Sequence, residues 1–420
     1  MIHIPAEEIR QPLLHADTLG FTFIWNGHFL RGIYPQSVKL ARSYFDTGFL
    51  DEVVGKGMFP KTWISDFENE EFGIIIEHEM ISPVTYATEW NSAMLKDAAL
   101  MVLDIAEIGW RHGYNMVDCH KLNVMFRNNR PLYVDLGSFV WNEKGCTGWK
   151  PYHNFLESYT YILDVWTHGC PQLAKRMMSP GVTLHSEDYW TWKRPLYRTF
   201  PKLLRWRQVR EKQINSIAIL GWRKGGRVQR LLKSIIDRLK IAASQRFDKL
   251  RNGIERQKLE FSTTGKKRSI DYGFIQSVES MTVIGVENAH IVRTLHEKVA
   301  QRIISLNEND MVSNLEYREL KDITSVSYHL MNGGILLREK YPETRFQSEV
   351  VLAGCKAVGK GQFSLHNNLV YLERCMFYSA KGVMYVLLSE PNDCMVDMLR
   401  GKWRVERLSP DGTLIEVKTI

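Results

Sequence analysis

The chain lacks the features that would mark an exported, membrane-spanning or metal-clustered protein. Its six cysteines in 420 residues (Cys119, Cys146, Cys170, Cys355, Cys375 and Cys394) are scattered, with no CxxC pair. That spacing fits reduced thiols in a reducing compartment and argues against a disulfide framework or a structural zinc site. No apolar run approaches the roughly 18 to 20 residues that cross a bilayer, and the opening MIHIPAEEIRQP has no charged-then-apolar export signal. The 13 histidines form no HExxH, and Ser138 has no G-x-S-x-G elbow, which disfavours a zinc enzyme and an α/β-hydrolase. There is no internal repeat and no low-complexity tract. A soluble, cytoplasmic chain of two or three domains, at roughly 150 residues each, is the expectation.

Acidic charge is scarce in one place only. The net charge of +8 is mild. Residues 193–268, however, hold 23 Lys and Arg against 5 Asp and Glu, a balance of +18, so the rest of the chain stands at −10. Within this stretch Leu231, Leu232, Ile235, Ile236 and Leu239 mark one face of a helix whose other face is basic, and Trp192, Trp206 and Trp222 are interspersed or adjacent. Such a segment suits an anionic membrane surface or a polyanionic saccharide. No nucleic-acid motif accompanies it, which disfavours nucleic acid as a partner. A solvated inter-domain helix is the plainer alternative.

On either side the patterning changes. FTFIW and HFLRGIY read as strands around a Gly turn, VKLARSYFDTGFLDEVVGKG as a helix ending at glycine, and EFGIIIEHEMI as a buried strand. AMLKDAALMVLDIAEIGWRHG (93–113) reads as a long core helix with a Gly stop. Beyond residue 270, strands (SMTVIGV, RIISLN, SEVVLAGC, VMYVLLSEPND) alternate with helices, and WRVERLSPDGTLIEVKTI closes the chain as a hairpin signalled by PDG. Alternation of this kind argues for a helix-covered parallel sheet. The domains expected are 1–190, a basic helical connector at 191–269, and 270–420.

Phosphoryl transfer needs a carboxylate near the accepting hydroxyl and two oxygen ligands for the magnesium on the nucleotide. The kinase fold supplies them as Asp, then Asn five residues on, then an Asp opening a D-x-G turn. Here Asp118 stands in VDCHKLN, Asn123 ends that loop and Asp135 opens the turn in VDLG, with two short strands between. Each residue alone is more often a turn former than a ligand. Order, spacing and the preceding helix together point to chemistry.

The stretches HFLRGIY, IIIEHEMISPVTYATEWNSAMLKDAALMVLDI and MVDCHKLNVMFRNNRPLYVDLGSFV resemble the protein kinase-like superfamily. They resemble more closely a two-domain bacterial family that joins a kinase-like N-terminal region to a SAM-dependent methyltransferase-like domain, in surface-polysaccharide or nodulation contexts. The resemblance implies an α+β kinase-like domain followed by an α/β Rossmann-like domain. It implies Asp118 as the catalytic aspartate and Asn123 and Asp135 as magnesium ligands under ATP. Met116 and Val117 replace the His and Arg of protein kinases, which disfavours protein phosphorylation. A VAIK-type lysine and a G-x-G-x-x-G loop are missing. Arg31 or Lys39 is the candidate replacement for the lysine, with a helix carboxylate such as Glu52 as its partner.

A second constellation is MTVIGVENAHIVRTL followed by RIISLNEND. It resembles the SAM-binding unit of class I methyltransferases, roughly D-x-G-x-x-x-G. There glycine lets the backbone approach the ligand and an acid after the second strand holds the ribose. Gly285 is kept, Val283 replaces the acid and Ala289 the later glycine; Glu308 is the candidate ribose ligand, with Asp310 behind it. Three functions follow. The first is Mg-ATP-dependent transfer to a hydroxyl of a saccharide or lipid-linked saccharide, with a degenerate methyltransferase-like domain. The second is SAM-dependent methyl transfer, with the kinase-like region positioning substrate. The third is a non-catalytic scaffold.

Overall fold

The computed structural model describes residues 2–9, 17–142, 149–194, 196, 247–259, 272–286, 288–307, 310–320, 323–327, 345–355 and 362–420. Two compact units divide the chain. Unit 1 comprises Met1–Ile81, Leu95–Met125 and Pro131–Lys258; unit 2 comprises Ser82–Met94, Phe126–Arg130 and Leu259–Ile420. The centre of the basic segment, its apolar stripe included, lies outside the described residues.

In unit 1 the strands β1 (Ile2–His3) and β5 (Phe67–Glu68) form a short parallel pair. Four antiparallel strands stand in the order β2 (Gly20–Trp25), β3 (His28–Ile33), β6 (Ile74–His78) and β4 (Thr62–Ile64). Asn26 and Gly27, both at positive φ, make the two-residue turn that the right-handed twist of β2 and β3 favours. The apolar side of this sheet packs Phe21, Phe23, Leu30, Phe72 and Ile75 over Ile4 and Ile9. The helix expected over 38–57 is two helices, Val38–Asp46 and Phe49–Gly55. Between them Gly48 sits at φ 72°, a left-handed turn that ends one and opens the next.

The long helix spans Ser92–Arg111, and the Asn91 side chain accepts from the Met94 amide at its start. After it come β7 (Tyr114–Met116), the hairpin of β8 (Val124–Arg127) and β9 (Arg130–Tyr133), and β10 (Phe139–Trp141), which runs antiparallel to β7. The aromatic stretch beyond is helical from Tyr152 to Thr167, with a π turn at Leu156–Thr160. Within the basic segment, residues 247–255 form a helix. Its Arg251 pairs with Asp104 and Glu107, and Lys96 donates to the carbonyls of Glu255 and Gln257. Some of the positive charge is therefore spent inside unit 1.

Unit 2 is built on seven strands: β11 (Val278–Ile284), β12 (Ala300–Asn307), β13 (Thr324–Ser327), β14 (Ser348–Cys355), β15 (Ser379–Leu388), β16 (Arg404–Leu408) and β17 (Leu414–Lys418). Their order is β13-β12-β11-β14-β15-β17-β16, all parallel except β17, which is antiparallel to both neighbours. This is the parallel sheet expected from the alternation, with its direction of winding reversed between β11 and β14. Met281, Val283, Ile303, Val350 and Leu352 fill the core, each worth about 1.5 to 3 kcal/mol on burial. The short strand β13 and the helix Asp393–Lys402, started by the Asn392 cap, are elements that the sequence reading does not anticipate. Among the described residues no helix is long and apolar enough to cross a membrane.

Unit 2 also buries an acid. Glu316, on the helix Asp310–Glu319, is fully buried and accepts from the Ser305 hydroxyl at 2.7 Å. Burial pushes its carboxyl from 4.5 up to about 7, against the hydrogen bonds that favour the anion. The folded state therefore holds this proton more tightly than the unfolded chain. Stability conferred by the neutral acid is present below about 4.5 and lost as pH rises through 7. Glu316→Gln, which cannot ionise, should raise the melting temperature at pH 8, by at most about 3 kcal/mol in free energy. Melting curves at pH 8 and pH 5 should show the gap closing at the lower pH.

Candidate functional site

Two pairings bring the phosphotransfer constellation together in unit 1. The β7–β10 ladder sets Met116 opposite Phe139, and the Val117 amide donates to the Ser138 carbonyl at 2.7 Å. The β8–β9 hairpin returns the chain so that the Val134 amide donates to the Asn123 carbonyl at 2.9 Å. Asn123 and Asp135, twelve residues apart in sequence, thus become neighbours.

Asp135 caps the short turn Leu136–Ser138. Its Oδ1 accepts from the Gly137 amide at 3.1 Å and from Arg31 Nη2 at 3.3 Å. Its Oδ2 accepts from the Ser138 hydroxyl and from Asn123 Nδ2, the latter at 3.4 Å. Asn123 Nδ2 also lies 3.3 Å from the Tyr133 hydroxyl, which donates to the Asp118 carbonyl at 2.8 Å. Tyr133 is fully buried and braces the loop from below.

Asp118 is held by a neighbour on the same loop. Its Oδ1 accepts from the His120 amide at 3.1 Å, and its Oδ2 meets His120 Nε2 at 3.0 Å. Burial pushes the Asp118 carboxyl up, but the hydrogen bonds and charge of His120 outweigh it, and the group lies below its ordinary 3.8. The same hydrogen bond raises His120 above 6.5 against desolvation. The two side chains fix one another in place, an arrangement suited to orienting an acceptor hydroxyl. Beneath it Cys119 is buried, its thiol pushed up by burial and therefore inert. Lys121 is 7 % exposed, and desolvation lowers its amine below the ordinary 10.5.

Of the two candidates for the missing lysine, Arg31 on β3 reaches Asp135, whereas the Lys39 ammonium lies over the Trp141 ring at 5.9 Å. Glu52 serves neither. It pairs with Arg111 at 2.7 Å and His112 at 2.8 Å, and their hydrogen bonds lower its carboxyl to about 2. The site also holds a residue with no motif to announce it. Asp17 forms an ion pair with Arg31 Nη1 and accepts from the Leu19 amide at 2.8 Å.

One carboxylate and one side-chain amide, Asp135 and Asn123, are the oxygen-bearing groups here that could hold magnesium on a nucleotide. No group of three or more His, Cys, Asp or Glu side chains forms a metal cage among the described residues.

In unit 2 the second constellation is only partly described. Gly285 follows β11 at φ 66°, a conformation that favours glycine. Gly354, on β14, approaches so closely that a Cβ there would lie 2.5 Å from the Gly285 carbonyl oxygen. The Tyr371 hydroxyl lies 3.3 Å from the Ile284 carbonyl and 3.2 Å from that of Gly354. At the end of β12, Asn307 donates its amide to the Val286 carbonyl at 3.0 Å. Glu308 lies outside the described residues, and Asp310 is placed only as the first residue of its helix. The crevice outside the strand ends at the β11/β14 reversal is where open α/β sheets bind ligands. Here the strand ends are tied together by Tyr371 and Asn307.

No protein-family model and no curated protein matches the chain. Among solved structures, an rRNA methylase from Streptococcus thermophilus is similar at 11% identity and a TM-score of 0.24, over 35% of this chain and 90% of that one. A candidate methyltransferase from Streptococcus mutans in complex with SAH is similar at 9% identity and a TM-score of 0.27, over 37% of this chain and 100% of that one. Scores this low carry no functional weight. The sheet order is the firmer observation, and it makes unit 2 a doubly wound α/β sheet of Rossmann type.

Proposed function

We propose that the chain is a two-unit transferase. Unit 1 would be kinase-like and use Mg-ATP to phosphorylate a hydroxyl of a saccharide or lipid-linked saccharide, beside a methyltransferase-like unit 2. The observation that carries this reading is the meeting of Asn123, Asp135 and Arg31 at one point of unit 1. Asn123 and Asp135 would hold magnesium, which would draw charge from the phosphates and favour loss of the terminal phosphoryl group. Asp118, kept anionic by His120, would accept the hydrogen bond of the acceptor hydroxyl and fix its line of approach. Arg31 would screen the phosphates from Asp135. Met116 and Val117 before Asp118, and the resemblance stated above, favour a saccharide over a protein acceptor. Residues 193–268 would hold the protein against an anionic membrane surface on the cytoplasmic side.

SAM-dependent methyl transfer by unit 2 is the second reading. The reversal of the sheet between β11 and β14 supports it, with Gly285 at the turn. Val283 in place of the motif's acid and Ala289 in place of its later glycine weaken it.

Thermal melting of the full chain separates the readings. Mg-ATP should raise the unfolding temperature, and no shift would overturn the phosphotransfer reading. A shift with SAM that is lost in Glu308→Ala would favour methyl transfer, and silence to both ligands would leave a non-catalytic scaffold.

A further inference from the structure

Arg31 raises a difficulty for the magnesium reading. Its guanidinium, on a side chain 7 % exposed, lies against the carboxylate that would bind the cation. At so short a distance one such positive charge offsets much of one negative charge, weakening the attraction for a divalent ion. The neighbouring His78 adds no further positive charge. Burial and the Arg31 charge lower it to about 3, so it is neutral. Asp17 restores the balance. Its carboxylate takes the other end of the guanidinium and stands against the D-x-G turn, where a methyl group on Gly137 would overlap it. With Asp17 the trio Asp17, Arg31 and Asp135 carries one net negative charge; without it the site is neutral.

We infer that Asp17 is a positioning residue that occupies Arg31 and thereby leaves Asp135 available to a divalent cation. The inference rests on the magnesium-nucleotide reading and adds to it a residue outside the Asp118, Asn123 and Asp135 constellation. It also accounts for a basic residue that is arginine: the planar fork can serve two carboxylates at once, as a lysine ammonium cannot do with the same geometry.

The test is calorimetric titration of magnesium chloride into the full chain with saturating ADP, read as the magnesium concentration at half-saturation. In Asp17→Asn that concentration should rise about tenfold or more. Asp17→Glu should stay near wild type, because the charge is kept. The double variant Asp17→Asn with Arg31→Met removes one charge of each sign and should bind magnesium more tightly than Asp17→Asn alone. A merely structural role for Asp17 would not produce that gain. Asp17→Asn titrating like wild type, or a double variant no better than Asp17→Asn, would overturn the inference. If the wild type itself shows no magnesium-dependent ADP binding, the reading of the site fails, and the inference with it.

Discussion

Replacing Arg345 by methionine should cost unit 2 about 3 to 5 kcal/mol, the usual penalty for leaving one member of a buried ion pair alone. Arg345 and Glu89 have side chains only 7 % and 4 % exposed. Arg345 Nη1 donates to the Val84 carbonyl at 2.6 Å and to Glu89 at 3.1 Å, Nη2 donates to the other Glu89 oxygen, and the guanidinium lies 4.5 Å from the centre of the Tyr86 ring. Methionine can fill the volume and keep contact with Tyr86 and Phe346. It cannot satisfy the Glu89 carboxylate, which would retain the Tyr86 amide at 2.8 Å. Urea denaturation followed by circular dichroism should show the transition of unit 2 at lower urea. Adding Glu89→Leu should recover most of the loss, because it removes the stranded charge. If the single variant unfolds at the wild-type midpoint, the pair contributes nothing to the unit.

The second large effect falls on Asp135. On the proposed magnesium-nucleotide reading, Asp135→Asn should weaken magnesium-dependent ADP binding about 100-fold or more, because a direct ligand would count for at least as much as the outer contacts of a metal site. The fold should survive. Arg31 keeps Asp17 as its partner, and an asparagine Oδ1 can still accept from the Gly137 amide. Binding of ADP without magnesium should change little. Calorimetry with and without magnesium checks both halves, and equal affinities for wild type and variant in magnesium would remove Asp135 from the ligand set.

Much of unit 2 was legible because buried parallel strands read as apolar runs punctuated by turns, as in SMTVIGV and SEVVLAGC. Strand β13 was not, since Thr324–Ser327 is four residues of mixed polarity that become a strand only by pairing with β12. In unit 1 the split of the helix over 38–57 turned on the backbone of Gly48, which an amphipathic pattern running through it conceals. The nearness of Asn123 and Asp135 could be read from spacing, because a hairpin of fixed length joins them. Arg31 could be narrowed only to one of two basic residues, and Glu52 was misread as its partner, because ion pairs between distant segments leave no local trace. Asp17 had no signal of its own for the same reason; it meets Arg31 fourteen residues away and Gly137 one hundred and twenty residues away.

The division of the chain has a practical consequence. Residues 82–94 and 126–130 belong to the unit that otherwise begins at Leu259, and they bring Glu89, Asn91 and Asn129 into its interior. Asn91 donates to Ser313, while Asn129 donates to the Leu320 carbonyl and accepts from the Ser325 amide. A fragment starting near residue 270 would lack all of these partners and expose a buried arginine together with several main-chain groups. No single cut of the chain yields both units whole, so the polypeptide has no cassette boundary at which unit 2 could be expressed, grafted or shed alone.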